Sequence, residues 1–124
     1  MKPFRAIHCL SVLFTLLLLT GCATIQDKIN LTEQRGTEKI FDYPYNKVFR
    51  ACEDVAVRTG WQIQESNLDE GYIYIIQTYL LNTFDAGIKV KKLNDNKTLV
   101  KILYFSSPVK DFFSRLDALL SRDQ

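Results

Sequence analysis

Apolar residues recur along this chain in three rhythms, and each rhythm predicts a different kind of element. From Ala6 to Thr20 they are nearly continuous, with Leu10, Val12, Leu13, Phe14 and Leu16 to Leu19 in the run. That run of about fifteen residues falls short of the roughly 20 a helix needs to cross a bilayer core. Between Tyr45 and Gly60 the period is helical. Val48, Phe49, Cys52, Val55 and Ala56 share one side, and Lys47, Arg50, Glu53, Asp54 and Arg58 occupy the other. Pro44 suits the first turn of this helix and Gly60 the position just past its end. A second helix is expected where Ser107 can cap and Pro108 can begin a segment carrying Val109, Phe112, Phe113, Leu116, Leu119 and Leu120 on one stripe.

The third rhythm is alternation. It predicts a short strand at Thr37–Asp42, a half-exposed strand in which Trp61, Ile63 and Glu65 alternate with Gln62, Gln64 and Ser66, and an interior strand over 72–80, YIYIIQTYL. Asn67 to Gly71 reads as a turn and 82–87 as a loop. The segments 88–93 and 98–105 then form a hairpin. Pairing Ile88 with Ile102 and Val90 with Val100 sets apolar residues opposite each other, leaving a three-residue loop, Asn94 to Asn96, with Asn96 suited to a left-handed conformation. Residues 23–36 keep no sustained period and read as a tether. The expected fold is α+β, a two-layer sandwich whose antiparallel sheet carries the helices on one face, in the order β-α-β-β-β-β-α. Trp61 and Tyr79 are expected in the core or at its edge.

The short apolar run sits behind the positive residues Lys2 and Arg5, the layout of a secretory signal. It ends in Leu19-Thr20-Gly21-Cys22, which resembles the lipobox of bacterial lipoprotein precursors: a branched apolar residue, two small residues and a cysteine. Small side chains at Thr20 and Gly21 let an extended backbone enter a peptidase, and the thiol is the nucleophile that takes a diacylglyceryl group. The resemblance implies cleavage before Cys22, lipidation of that cysteine, and a membrane contact through the lipid. It divides the chain into a signal peptide at 1–21, a lipidated tether at 22–36 and one α+β domain at 37–124. One acyl chain anchors only marginally, at about 0.8 kcal/mol per buried CH₂, so the two or three chains of a lipoprotein matter. Ala23 and Thr24 follow the cysteine in place of an inner-membrane retention aspartate. In a Gram-negative host the implied address is therefore the inner leaflet of the outer membrane, facing the periplasm.

The processing that this resemblance implies changes the composition that matters. Cleavage removes 21 of the 124 residues and leaves 103, enough for one small core. Lys2 and Arg5 depart, so the formal charge of +2 falls to zero and gives no argument for nucleic acid as a partner. His8, the single histidine, departs as well. Of the three cysteines Cys9 is lost, Cys22 becomes a thioether and Cys52 alone stays a thiol. That inventory leaves no material for a Ser-His-Asp or Cys-His pair, a His/Cys zinc site or an internal disulfide. No cofactor is expected beyond the covalent lipid on Cys22, and no metal.

The stretch YPYNKVFRACEDVAVRTGWQIQESNLDEGYIYI resembles the opening of small bacterial envelope lipoprotein domains of the BamC-like, helix-grip kind. There an aromatic-Pro helix entry precedes a Gly-aromatic helix exit, a polar strand and an acidic turn closing on Gly before a Tyr/Ile strand. The likeness covers residues 40–76 or so and is a pattern of fold, not of site. It implies a noncatalytic accessory module of an envelope assembly, with a protein partner.

Three candidate sites remain. Lys89, Lys91 and Lys101 fall on the sheet face opposite the expected helices, with Leu99, Leu103 and Tyr72 or Tyr74, and could meet an anion or an acidic partner. Lys89 directly faces Lys101, which costs stability unless screened. A periplasmic chaperone or inhibitor would present the same face. Glu65, Asp69, Glu70 and Asp85 are the best carboxylate group, and a small envelope hydrolase would have to use them, although turns carry solvated acids routinely. Cys52, on the apolar stripe of the first helix, reads as a small hydrophobe.

Overall fold

The computed structural model describes residues 24–105 and 111–122. Leu19 to Cys22, and the expected cap and start at Ser107 and Pro108, lie outside them. The chain runs α1 (Ile25–Arg35), β1 (Thr37–Phe41), α2 (Tyr45–Arg58), β2 (Gln62–Asn67), β3 (Tyr72–Tyr79), β4 (Asn82–Asn94), β5 (Lys97–Tyr104) and α3 (Phe112–Arg122). The strands form one five-stranded antiparallel sheet in the order β1-β5-β4-β3-β2. The α+β class and the strand-and-helix order expected from the sequence are both present.

Helix α2 forms where the apolar period placed it. Pro44 stands at the N-cap, and the chain leaves through Thr59 and Gly60, the latter at φ +89°. Its buried residues are Val48, Phe49, Cys52, Val55 and Ala56. They pack with Phe112, Leu116 and Leu120 of α3 against Ile73, Ile75, Ile88, Val90, Val100 and Ile102 of the sheet. Both helices thus share one face. Thr98, buried on that side, donates its hydroxyl to the Tyr43 carbonyl at 2.9 Å, so the core holds no loss there.

The hairpin register is the expected one, Ile88 opposite Ile102 and Val90 opposite Val100. Its turn differs. Asn94 pairs with Lys97, leaving a two-residue turn, and the ladder slips between Lys92 and Asn94. Asn96 keeps an ordinary φ, because the Asn94 side chain accepts its N–H at 2.8 Å and shapes the turn as a side-chain hydrogen bond can. The segment 82–87 is strand and not loop: β4 is 13 residues long and pairs with β3 down to Tyr79 and Asn82. Gly87 lies at a close approach inside it, which weakens the strand pattern in the sequence.

The larger correction is α1. Residues 25–35 are a helix and not a tether. Thr24 caps it in a reciprocal box with Asp27, each accepting the other's backbone N–H at 3.2 Å. The helix lies on the face of the sheet away from α2 and α3, where Ile29 packs on Tyr72 and Tyr74 in a second, smaller core. The structure is therefore layered on both faces of the sheet.

Candidate functional site

Alternation along the strands sends Tyr72, Tyr74, Asp85, Gly87, Lys89, Lys91, Leu99 and Lys101 to the face that α1 meets. Gly87 lets the helix come close. A Cβ at this position would strike Thr32 Oγ1, with Thr32 Cβ at 3.3 Å and Ile29 Cδ1 at 3.4 Å. Thr32 is fully buried, and its hydroxyl donates to the Lys28 carbonyl at 2.8 Å.

Lys28 is the polar anchor of this contact. Its ammonium pairs with the Asp85 carboxylate and bonds the Tyr74 hydroxyl at 3.2 Å, and Tyr74 donates to the same carboxylate. The rings of Tyr74 and Phe105 flank the ammonium at 5.5 and 5.4 Å. Burial works against the charged lysine, but the bonds to Asp85 and Tyr74 outweigh it and hold the ammonium above its ordinary pKa. The Tyr74 hydroxyl is raised too, by burial and then by Asp85. A lysine that stays charged and a tyrosine that stays neutral are poor bases, and their bonds to Asp85 tie the helix to the sheet.

The lysines read from the sequence are divided by α1. Lys101 lies opposite Lys89, as expected. Its Nζ donates to the Glu33 carbonyl at 2.9 Å and lies 3.5 Å from Glu38. Lys89 donates to the Glu70 carbonyl at 3.1 Å. Only Lys91 of the three is exposed. The like-charge pair is thus relieved by separate acceptors, and the face is not the open lysine patch the alternation suggested. Beyond the helix, Ile40, Leu99 and Lys91 lie on one cross-strand line. Ile40 is 54% exposed, as is Leu93 at 45%.

The carboxylates do not converge. Asp69 and Glu70 are exposed in the β2–β3 turn, where the Asn67 side chain accepts the Glu70 N–H at 3.0 Å and Gly71 takes φ +76°. Glu65 faces Tyr74 across the strands, and Asp85 belongs to the Lys28 trio. Among the described residues no group of three or more His, Cys, Asp or Glu could hold a metal ion. Cys52 is fully buried, and burial raises its thiol well above the ordinary range, as a core residue's should be.

Besides α1, two features escaped sequence reading. An open groove of about 240 Å³ lies between the C-terminal turn of α2 and α3, with Arg58, Arg115 and Arg122 on its walls beside Val55 and Leu119. At the β3–β4 turn, Tyr79 is 68% exposed, Leu80 82% and Leu81 100%. Tyr79 is therefore not a core-edge residue: β4 extends to pair with it and carries it out to the hairpin tip. The signals were there in retrospect, in Thr24-x-x-Asp27 with Ile25 and Ile29 one turn apart, and in a Leu-Leu pair where a turn had to fall. No helix among the described residues is long and apolar enough to cross a membrane. No family model matches the chain, and no curated protein matches it.

Proposed function

We propose that this chain is a lipid-anchored, noncatalytic module of a bacterial cell envelope that holds a protein partner close to the membrane. The observation that carries the reading is a join in the chain. The lipobox-like cysteine, Cys22, stands two residues before Thr24, the cap of a helix welded to the sheet by Lys28, Asp85, Tyr74 and Ile29. A lipid on Cys22 would then bear on the folded domain directly, with no free tether between. The absence of histidine from a chain cut at Cys22, and carboxylates dispersed or occupied by Lys28, favour binding over catalysis. The partner surface we assign is the part of the sheet face beyond α1, where Ile40, Leu99 and Lys91 lie on one cross-strand line, with the exposed Leu93 at the irregularity next to them. It mixes apolar and basic groups as a partner's acidic, apolar patch would require.

The test has two arms. Mass measurement of the protein purified from membranes should give an N-terminal acylated Cys22, abolished in Cys22→Ser; an intact leader or an unmodified cysteine sinks the anchoring. A photocrosslinking residue at Ile40 should give one discrete adduct in living cells, whereas the same residue at Asp54 on the other face should not. No adduct at Ile40 removes the partner surface.

A further inference from the structure

We propose that the β3–β4 hairpin tip, Tyr79-Leu80-Leu81, inserts into the bilayer surface beside the lipid on Cys22 and fixes the orientation of the domain. The inference rests on the anchoring proposed above and adds a second membrane contact to it.

The tip breaks the local rules of a hairpin in a directed way. A two-residue turn favours Gly, Asn or Asp, because its first central residue takes positive φ. Leu80 occupies that position at φ +57°. A branched apolar side chain there bears a conformational cost, and it recovers nothing by packing, since Leu80 and Leu81 are 82% and 100% exposed. Folding alone would select a polar turn. Departures of this kind mark function, and the chemistry on display is apolar, with Tyr79 behind it carrying an amphipathic ring of the sort that settles at headgroup depth.

The position of the tip identifies the occupant. Along α1, Lys28 meets Asp85, Thr32 meets Gly87, and Glu33 meets Lys101, which pairs with Lys89. The helix therefore runs away from the hairpin tip, and its N-terminus points toward it. Ile25 and Ile76 both flank the Ile29 cluster, and Ile76 is four residues short of Leu80, roughly 13 Å along the strand. Cys22 lies three residues before Ile25, within about 10 Å of chain. The N-terminal end of α1, which Cys22 precedes by three residues, and the apolar tip thus belong to the same end of the molecule, while the Asp95-Asn96 turn lies at the other.

Charge fits the same end. The C-terminal turn of α2 reaches the Gln77 rung, since a side chain at Gly60 would meet the Gln77 amide at 3.2 Å. Arg115 and Arg122 line the adjoining groove with Arg58, which is paired with Asp54 at 3.2 Å; the groove is set back from the tip, where the phosphates of a bilayer would lie if the leucines entered by about 5–10 Å. Arginine suits phosphate through its paired N–H donors.

The experiment uses the full chain, made with its own leader, purified from membranes and reconstituted in vesicles of phosphatidylethanolamine and phosphatidylglycerol. An environment-sensitive fluorophore is attached in Leu81→Cys or, as control, in Asn96→Cys; Cys52 is buried and will not take it. The label at 81 should shift to the blue and lose emission to brominated acyl chains, and the label at 96 should do neither. Acylated Cys22 with an unquenched label at 81 overturns the tip insertion and leaves the anchor standing. Equal quenching at both sites overturns the orientation. A blue shift without vesicles that grows with protein concentration assigns the tip to a second copy of the chain and also overturns the proposal. A Cys22 without lipid removes the anchor and this inference together.

Discussion

At the scale of single residues, two hydroxyls divide the polar chemistry. The Tyr74 hydroxyl is bonded at every turn, whereas the Tyr104 hydroxyl is buried with no hydrogen-bond partner among the described residues. Burial pushes the Tyr104 hydroxyl from 10.0 up to about 12. A phenol whose pKa is higher folded than unfolded contributes stability that is complete below its unfolded value and lost as pH climbs through the folded one. Lys28, also raised, acts in the same direction. Unfolding in urea should therefore become easier between about pH 10 and 12. Tyr104→Phe removes an unsatisfied buried group, so it should stabilise the protein near neutrality by about 1 kcal/mol and make the alkaline loss shallower. Urea midpoints of both proteins at neutral pH and near pH 11 decide it. A destabilised variant would mean that Tyr104 has a partner after all.

At the scale of elements, α1 and the long β4 carry the difference between pattern and structure. Ile25 and Ile29 are too few to set a period, and the helix is held by what lies beneath it: Gly87, the Tyr72–Tyr74 surface and the Asp85 carboxylate. None of those is near it in sequence. Gly87 also made β4 read as a loop, although the strand needs a residue without Cβ there to admit Thr32. Gly87→Ala should cost about 1–3 kcal/mol by overpacking. The loss should be local, with amide exchange faster in residues 25–35 and unchanged protection in β3 and β5. If the helix amides kept their protection, Thr32 would have to move aside without consequence.

For the molecule as a whole, one sheet serves two cores of unequal size. The larger, under α2 and α3, fixes the fold; the smaller decides what the other face presents. Ile29 is fully buried in it. Ile29→Asp would set an unpaired carboxylate there, at a cost above about 3 kcal/mol to the docked helix. The expected outcome is a sheet that keeps its far-ultraviolet circular dichroism while the uncovered Tyr72–Tyr74 surface drives concentration-dependent association. Gel filtration over a range of concentrations checks it, and a monomer at every concentration would show that α1 is not needed to cover that face.

What the sequence determined alone was whatever depends on spacing within one segment. Helix α2 follows from its apolar period between Pro44 and Gly60, and the β4–β5 register from the pairing of isoleucines and valines. The burial of Cys52 follows from its place on the α2 stripe. The lysine opposition, Lys89 to Lys101, was legible for the same reason. Tertiary structure alone decided what depends on residues far apart. It docked α1 on the sheet, because only the folded sheet offers Ile29 and Lys28 their partners. It divided the lysines among Glu70, Glu33 and Glu38, and it carried Tyr79 to an exposed tip by pairing it with Asn82. A period is a property of a segment, but a partner is supplied by the fold, and side chains whose energy comes from a partner do not reveal it in their own neighbourhood.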